Sequence, residues 1–131
     1  MKKCVLIYED DLDIMQLCKI ILTASDYQVE TRNTCENIIA DVKEVNPNII
    51  LMDLWIPEIG GEQAIMLVKQ EEAFKDIPIV IFSANEELDT ICKRINASGY
   101  LKKPFDIMDL KNIIQLHISE KKHSEQSTQS V

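Results

Sequence analysis

Five short apolar runs alternate with segments of helical periodicity, and this alternation restricts the fold more than any other feature of the 131-residue chain. The runs predict strands at 3–8, 27–31, 48–52, 77–82 and 99–102. Strands that alternate with helices form a parallel sheet with helices on both faces. The chain is therefore predicted to be α/β, a doubly wound sheet of five parallel strands.

The composition of the individual runs predicts where each strand lies in the sheet. The first, third and fourth runs are almost entirely apolar, as expected of central strands that are buried on both faces. The second run alternates apolar and polar residues, which is typical of an edge strand. Helical spacing is clear in Ile14, Leu17, Cys18 and Ile21, in Leu88, Ile91, Cys92 and Ile95, and in Leu110, Ile113, Ile114 and His117, and weaker at about 35–44 and 61–72.

Length and composition indicate one folded domain. The absence of apolar periodicity from residue 120 onward predicts a folded domain at 1–119 and a frayed tail at 120–131. The net charge of −8 argues against direct binding of nucleic acid, which requires clustered basic residues. The first apolar run stops at Glu9, too early for export or for a membrane span.

The four cysteines of the chain are scattered, and none belongs to a CxxC pair. Three of them fall in apolar or helical surroundings, which favours reduced residues in or near the core over a disulfide or a zinc site. Reduced cysteines are typical of a cytoplasmic protein, and we expect this chain to be one.

Carboxylates stand at the ends of two of the apolar runs. Asp53 ends the most apolar run of the chain, and Glu9, Asp10 and Asp11 end the first run. Burying an ionised carboxylate without a partner costs several kcal/mol or more. If the two strands lie side by side and parallel, as many as four carboxylates converge at one edge of the sheet. Such a cluster is unstable without a cation.

Other polar residues follow the fourth and fifth runs. Ser83-Ala84 comes after the fourth run and Lys103-Pro104 after the fifth. Ligands bind outside the carboxyl ends of the strands in an open parallel sheet, so these groups are expected at the same edge as the acids. Carboxylates without Cys or His nearby suit Mg²⁺, while the lysine and the hydroxyl suit phosphate oxygens.

Over residues 2–118 the chain resembles the receiver domain of two-component response regulators. The matching motifs are YEDD at 8–11, DLWIPEIGG at 53–61, SA at 83–84 and GYLKKPF at 99–105. The resemblance implies the flavodoxin-like (βα)5 fold with strand order 2-1-3-4-5. It also implies a stand-alone regulator, similar to chemotaxis regulators, that catalyses its own phosphorylation and slow dephosphorylation.

The resemblance implies a role for each motif. Asp53 would accept a phosphoryl group from a phosphohistidine of a sensor histidine kinase or a histidine phosphotransfer protein. Asp10, Asp53 and the backbone carbonyl of Trp55 would hold Mg²⁺, or Mn²⁺ in its place, with Glu9 nearby through water. Lys103 and Ser83 would contact phosphate oxygens.

Switching and hydrolysis are assigned by the same resemblance. Ser83 and Tyr100 would form the switch that changes the surface of helix four, strand five and helix five, about residues 86–118, for a downstream protein that the sequence does not identify. Trp55, Ala84 and Asn85 would flank the phosphoryl group. We hypothesise that the indole of Trp55 shields the acyl phosphate; an exposed indole that contacts a partner is the alternative.

Where residues of the same type are adjacent, their position in the family motif indicates which one belongs to the site. Family spacing selects Lys103, directly before proline, over Lys102, and makes a cis bond to Pro104 compatible with the resemblance. Asp11 is expected to cap the following helix or to lie in its first turn. Departures from the family pattern are mild: Gly60 stands where a polar residue is usual, and serine replaces the commoner threonine at position 83.

Two other functional classes and a related carrier compete with this interpretation. A haloacid-dehalogenase-type phosphatase also uses Mg²⁺ and an Asp nucleophile, but it needs a second Asp at the position of Trp55. A phosphorylation-independent binding module is expected to lack some site residues, and none is missing. A flavodoxin-like FMN carrier shares the fold, but the acids at 9–13 would repel its phosphate. The chain is expected to be a monomer or a weak homodimer, away from membranes.

Overall fold

Five parallel strands and five helices alternate along residues 2–56 and 60–118, which are the residues that the structure, a computed structural model, describes. The strands are β1 (Cys4–Tyr8), β2 (Gln28–Arg32), β3 (Ile49–Asp53), β4 (Ile79–Ser83) and β5 (Gly99–Lys102). The helices are α1 (Leu12–Ala24), α2 (Ile38–Val45), α3 (Gly61–Gln70), α4 (Leu88–Arg94) and α5 (Ile107–His117). The predicted tail at 120–131 lies outside the described residues.

The strands form a single sheet in the order β2-β1-β3-β4-β5, which confirms the predicted fold. The edge position of β2 is also confirmed. Both β3 and β4 extend one residue beyond their predicted ends, because Asp53 pairs with Phe82 and Ser83 pairs with Lys102 in the ladders. Asp53 and Ser83 are therefore the last residues of strands and are held by the sheet itself.

Apolar side chains cover the sheet on both faces. Every residue of β1, β3 and β4 is buried, as predicted for central strands. Leu6 and Tyr8 point into the layer under α2, α3 and α4, whereas Val5 and Ile7 point into the layer under α1 and α5. This period of two fixes the register of β1, because a slip of one residue would exchange the two layers.

Local capping chemistry explains the helix ends. The side chain of Asp11 accepts hydrogen bonds from the N–H groups of Asp13 and Ile14, at 3.0 and 3.2 Å, so Asp11 caps α1 as expected. The helix predicted at about 35–44 begins three residues later, at Ile38, and ends at Val45, followed by the capping residue Asn46 in the left-handed conformation. Among the described residues, no helix has both the length and the hydropathy of a membrane span.

All four cysteines are buried, and none forms a disulfide. Burial raises the pKa of the Cys18 thiol to about 12, with a smaller contribution from Glu9. In the described residues, no group of three potential metal ligands includes a cysteine or a histidine. The sequence prediction that the cysteines lie in or near the core is thus confirmed.

Candidate functional site

The carboxyl edge of the sheet brings the sequence-predicted site residues together. Asp53 and Ser83 end β3 and β4, while Glu9 directly follows β1 and Lys103 directly follows β5. The backbone N–H of Lys103 donates to the carbonyl of Ser83 at 2.9 Å, which continues the sheet pairing into the site. The strand order reverses at β1 and β3, the place where open parallel sheets bind ligands.

Three carboxylates form the centre of this edge. Oxygens of Glu9, Asp10 and Asp53 all lie within 4.8 Å of one another; Glu9 and Asp53 are buried and Asp10 is exposed. Glu9 also accepts a hydrogen bond from the N–H of Asp11 at 3.0 Å. Burial, followed by the hydrogen bond with Asp53, raises the pKa of the Glu9 carboxyl, and Lys103 opposes that rise.

Lys103 is the cation that the structure places in the site. Its Nζ lies 2.7 Å from Oε1 of Glu9 and 3.5 Å from Oδ2 of Asp53. The same ammonium is 4.6 Å from the ring centroid of Phe82, which adds a cation–π contact. Lys102 points away and pairs with the exposed Glu86 at 3.1 Å. The Lys103–Pro104 peptide bond is cis.

The donor set of the site fits a hard divalent cation. It consists of carboxylate oxygens from Glu9, Asp10 and Asp53, the ligand type that Mg²⁺ prefers. Among the described residues, the ion pairs with this cluster come from the ammonium of Lys103, which contacts Glu9 and Asp53, so three carboxylates face a single positive charge. Trp55 lies in the turn directly after Asp53, and a metal role for its carbonyl stays a prediction.

The Ser83 hydroxyl accepts two hydrogen bonds at the edge of the acidic centre. Indole Nε1 of Trp55 donates to Ser83 Oγ at 3.1 Å, and the backbone N–H of Asn85 donates to it at 3.2 Å. Ser83 is fully buried, whereas the Trp55 side chain is 69% exposed. Ala84 and Tyr100 are exposed beside the site. The indole contact was missed by sequence reasoning, because it depends on a rotamer that no motif encodes.

A second polar network supports the end of β1. The fully buried Tyr8 donates its hydroxyl to Oδ2 of Asp41 at 2.7 Å, and Nε of Arg32 lies 3.5 Å from Oδ1 of the same carboxylate. Burial and this hydrogen bond raise the pKa of Tyr8 well above its usual range. The network joins β1, β2 and α2 immediately before Glu9. Sequence reasoning also missed it, since its members are far apart along the chain.

Two adjacent glycines shape the loop that follows Asp53. Gly60 has φ +77°, in the region that favours glycine, which accounts for the unusual residue at this position. A Cβ on Gly61 would lie 2.5 Å from the carbonyl oxygen of Asp53 and 2.9 Å from Cα of Leu54. The start of α3 therefore packs directly on the backbone that carries Asp53.

Replacing Gly61 with Ala is expected to lower the free energy of unfolding by about 2 kcal/mol, because both contacts are with backbone that cannot turn aside. Gly60→Ala is the matched control, since it meets nothing within 4 Å and incurs only the cost of its positive φ, about 1 kcal/mol. Urea unfolding measures both values. A Gly61→Ala protein as stable as the unaltered chain would contradict the close packing.

Comparisons with known proteins agree with this geometry. A family model described as response regulator receiver domain matches residues 5–115. The transcriptional regulatory protein KdpE of Staphylococcus aureus is 32% identical over 118 residues, which are 88% of this chain and 50% of that protein. The chain thus spans about half the length of this curated relative.

Solved structures share the fold. The chemotaxis response regulator CheY4 of Vibrio cholerae superposes with a TM-score of 0.83 at 24% identity, covering 90% of this chain and 100% of the other. The receiver domain of a sensor histidine kinase from Pseudomonas aeruginosa PAO1, solved with magnesium coordinated in its active-site cleft, also gives a TM-score of 0.83 at 24% identity. That match covers 92% of this chain and 100% of the other.

Proposed function

The chain belongs to the response regulator receiver domain family of two-component systems, and we propose that it accepts a phosphoryl group on Asp53. The donor is a phosphohistidine of a sensor histidine kinase or of a histidine phosphotransfer protein. The observation that carries this proposal is the position of Asp53, with one carboxylate oxygen facing Lys103 and the other bonded to the N–H of Trp55 at 3.1 Å.

The transfer exchanges one bond to phosphorus for another. An oxygen of Asp53 forms a bond to the phosphorus while the bond from phosphorus to the imidazole nitrogen breaks, and the imidazole leaves with the electron pair. Phosphoryl transfer passes through a loose transition state, so the protein acts mainly by positioning and by neutralising charge. Lys103, 3.5 Å from Asp53, is suited to a phosphoryl oxygen, and Ser83 at the end of β4 is suited to another.

Mg²⁺ is the proposed cofactor, with Mn²⁺ as a substitute. Asp10, Asp53 and the backbone carbonyl of Trp55 would hold the ion, with Glu9 nearby through water. When bound, the cation supplies positive charge next to the transferred phosphoryl group. Support comes from the carboxylate donor set, and from the magnesium ion in the Pseudomonas relative of the same fold.

The proposed output surface consists of α4, β5 and α5, about residues 86–118. Tyr100 is 43% exposed in β5, so an inward turn coupled to movement of Ser83 would change this surface. A groove of about 510 Å³ beside β5 and α5 gives a partner protein a place to bind; Tyr100, Lys103, Ile113 and Leu116 are among its lining residues. We propose a downstream protein target rather than nucleic acid, with the chain as a monomer or weak homodimer.

The cysteines support a location for this activity. Cys4, Cys18, Cys35 and Cys92 are all buried, and none of them forms a disulfide, as in proteins of reducing compartments. We therefore place the regulator in the cytoplasm, where the catalytic parts of sensor kinases act.

Incubation with acetyl phosphate and Mg²⁺, followed by intact mass, tests the proposed function. We expect an increase equal to one phosphoryl group, because acetyl phosphate can replace the phosphohistidine as the donor. Chelation of the metal is expected to lower the rate of adduct formation at least ~10-fold, since the excess negative charge of the site then repels the phosphate. Omission of acetyl phosphate is the control. Absence of an adduct in the presence of Mg²⁺ would overturn the proposed function.

A further inference from the structure

We propose that Trp55 is a positioning residue for Ser83, whose indole N–H directs the Ser83 hydroxyl proton toward a phosphoryl group on Asp53. The inference rests on the proposed function and deepens it, because it assigns the orientation of one phosphate contact to a side chain outside the transfer chemistry. The hydrogen bond from Nε1 of Trp55 to Oγ of Ser83, 3.1 Å long, is the observation from which it starts.

A hydroxyl group has one proton to donate and two lone pairs that accept. Both acceptor positions of Ser83 Oγ are occupied, one by Trp55 Nε1 and the other by the backbone N–H of Asn85 at 3.2 Å. The proton of this fully buried hydroxyl is therefore the remaining position at which Ser83 can form a hydrogen bond. In this state Ser83 is prepared to donate, and a phosphoryl oxygen is a strong acceptor for it.

The sheet register places Ser83 at the strand end next to the one that carries Asp53. Asp53 pairs with Phe82 in the ladder between β3 and β4, so Ser83 lies one residue further along the neighbouring strand. The indole reaches from the turn after β3 to the end of β4 and joins the two strand ends. An oriented hydroxyl in this position avoids the rotational search that a free hydroxyl would make during each transfer.

Of the two donors to Ser83, only the indole depends on a side chain. The N–H of Asn85 belongs to the backbone two residues after Ser83 and is present whatever residue occupies position 85. Trp55, by contrast, is 69% exposed and contributes no part of the buried core. Trp55→Phe therefore removes the N–H, keeps an aromatic ring over the site and leaves the core packing intact.

A double-mutant cycle separates this positioning role from shielding by the ring. The four proteins are the unaltered chain, Trp55→Phe, Ser83→Ala and the double variant, and the rate of adduct formation from acetyl phosphate with Mg²⁺ is measured for each. Trp55→Phe is expected to slow the reaction about 3- to 10-fold, the equivalent of one net hydrogen bond. In the Ser83→Ala background, Trp55→Phe is expected to change nothing further.

Tyr27→Phe is the matched aromatic control, because Tyr27 lies at the amino end of β2, away from the carboxyl ends of the strands that form the site. This variant should form the adduct at the rate of the unaltered chain. An equal slowing by Trp55→Phe in both backgrounds would overturn the inference, as would no slowing in either. Absence of an adduct in the unaltered chain would instead overturn the proposed function, and this inference with it. Far-ultraviolet circular dichroism confirms that all variants are folded.

Discussion

Replacing Asp53 with Asn is expected to abolish the phosphate adduct completely, because the amide of asparagine is not a nucleophile at this position. The fold should be retained and is expected to be at least as stable. Glu9 and Asp53 are both buried, and their oxygens lie within 4.8 Å of each other, so a neutral amide removes a repulsion between like charges. Intact mass measures the adduct, and urea unfolding in chelator measures the stability.

The matched control for this variant is Asp13→Asn. This substitution makes the same chemical change in the exposed first turn of α1, outside the cluster of carboxylates. Its adduct should form at the rate of the unaltered chain. Retention of the adduct in Asp53→Asn would assign the phosphoryl group to a different carboxylate, with Asp10 the first to be examined.

Lys103→Met is expected to have the second large effect, on stability as well as on phosphorylation. Methionine keeps much of the length of the side chain but removes the ammonium, which lies over the Phe82 ring and 2.7 Å from the buried Glu9. Loss of one partner of a buried ion pair lowers the free energy of unfolding by about 3 kcal/mol. In chelator we therefore expect a destabilised protein whose stability rises when Mg²⁺ is added, because the cation neutralises the same carboxylates.

The adjacent lysine provides the control for this experiment. Lys102 pairs with Glu86 at 3.1 Å, but its side chain is 49% exposed and that of Glu86 is 88% exposed. An exposed pair of this kind contributes at most about 1 kcal/mol, so Lys102→Met should stay close to the unaltered chain in both stability and adduct formation. Equal effects of the two substitutions would contradict a special environment for Lys103.

The strands and their order could be predicted because each depends on a local pattern and a general rule. The continuous apolar runs of β1, β3 and β4 required burial on both faces, and the alternation in β2 indicated an edge. Parallel pairing of these strands then predicts that Glu9, Asp53 and Lys103 lie at one edge of the sheet. The strand order itself came from the family resemblance rather than from the periodicity.

Features that depend on side-chain conformation could not be predicted in this way. The hydrogen bond between Trp55 and Ser83 joins residues 28 positions apart and exists in one orientation of the indole. The bond from Tyr8 to Asp41 spans 33 positions and depends on where α2 begins. The sequence pattern predicts the start of α2 too early, because Cys35 is apolar enough to continue the helical pattern although it precedes the first turn. Roles in metal binding and switching stay predictions.

The indole that bonds to Ser83 also has an optical consequence. Trp55 is the single tryptophan of the chain, so all tryptophan emission of the protein comes from one ring, which is bonded to Ser83 at the carboxyl edge of the sheet. An unlabelled sample therefore carries its own fluorescent probe at the place where the proposed cation and phosphoryl group would arrive. Both events can be timed by stopped flow in the natural sequence, without a dye that would alter the surface offered to a partner.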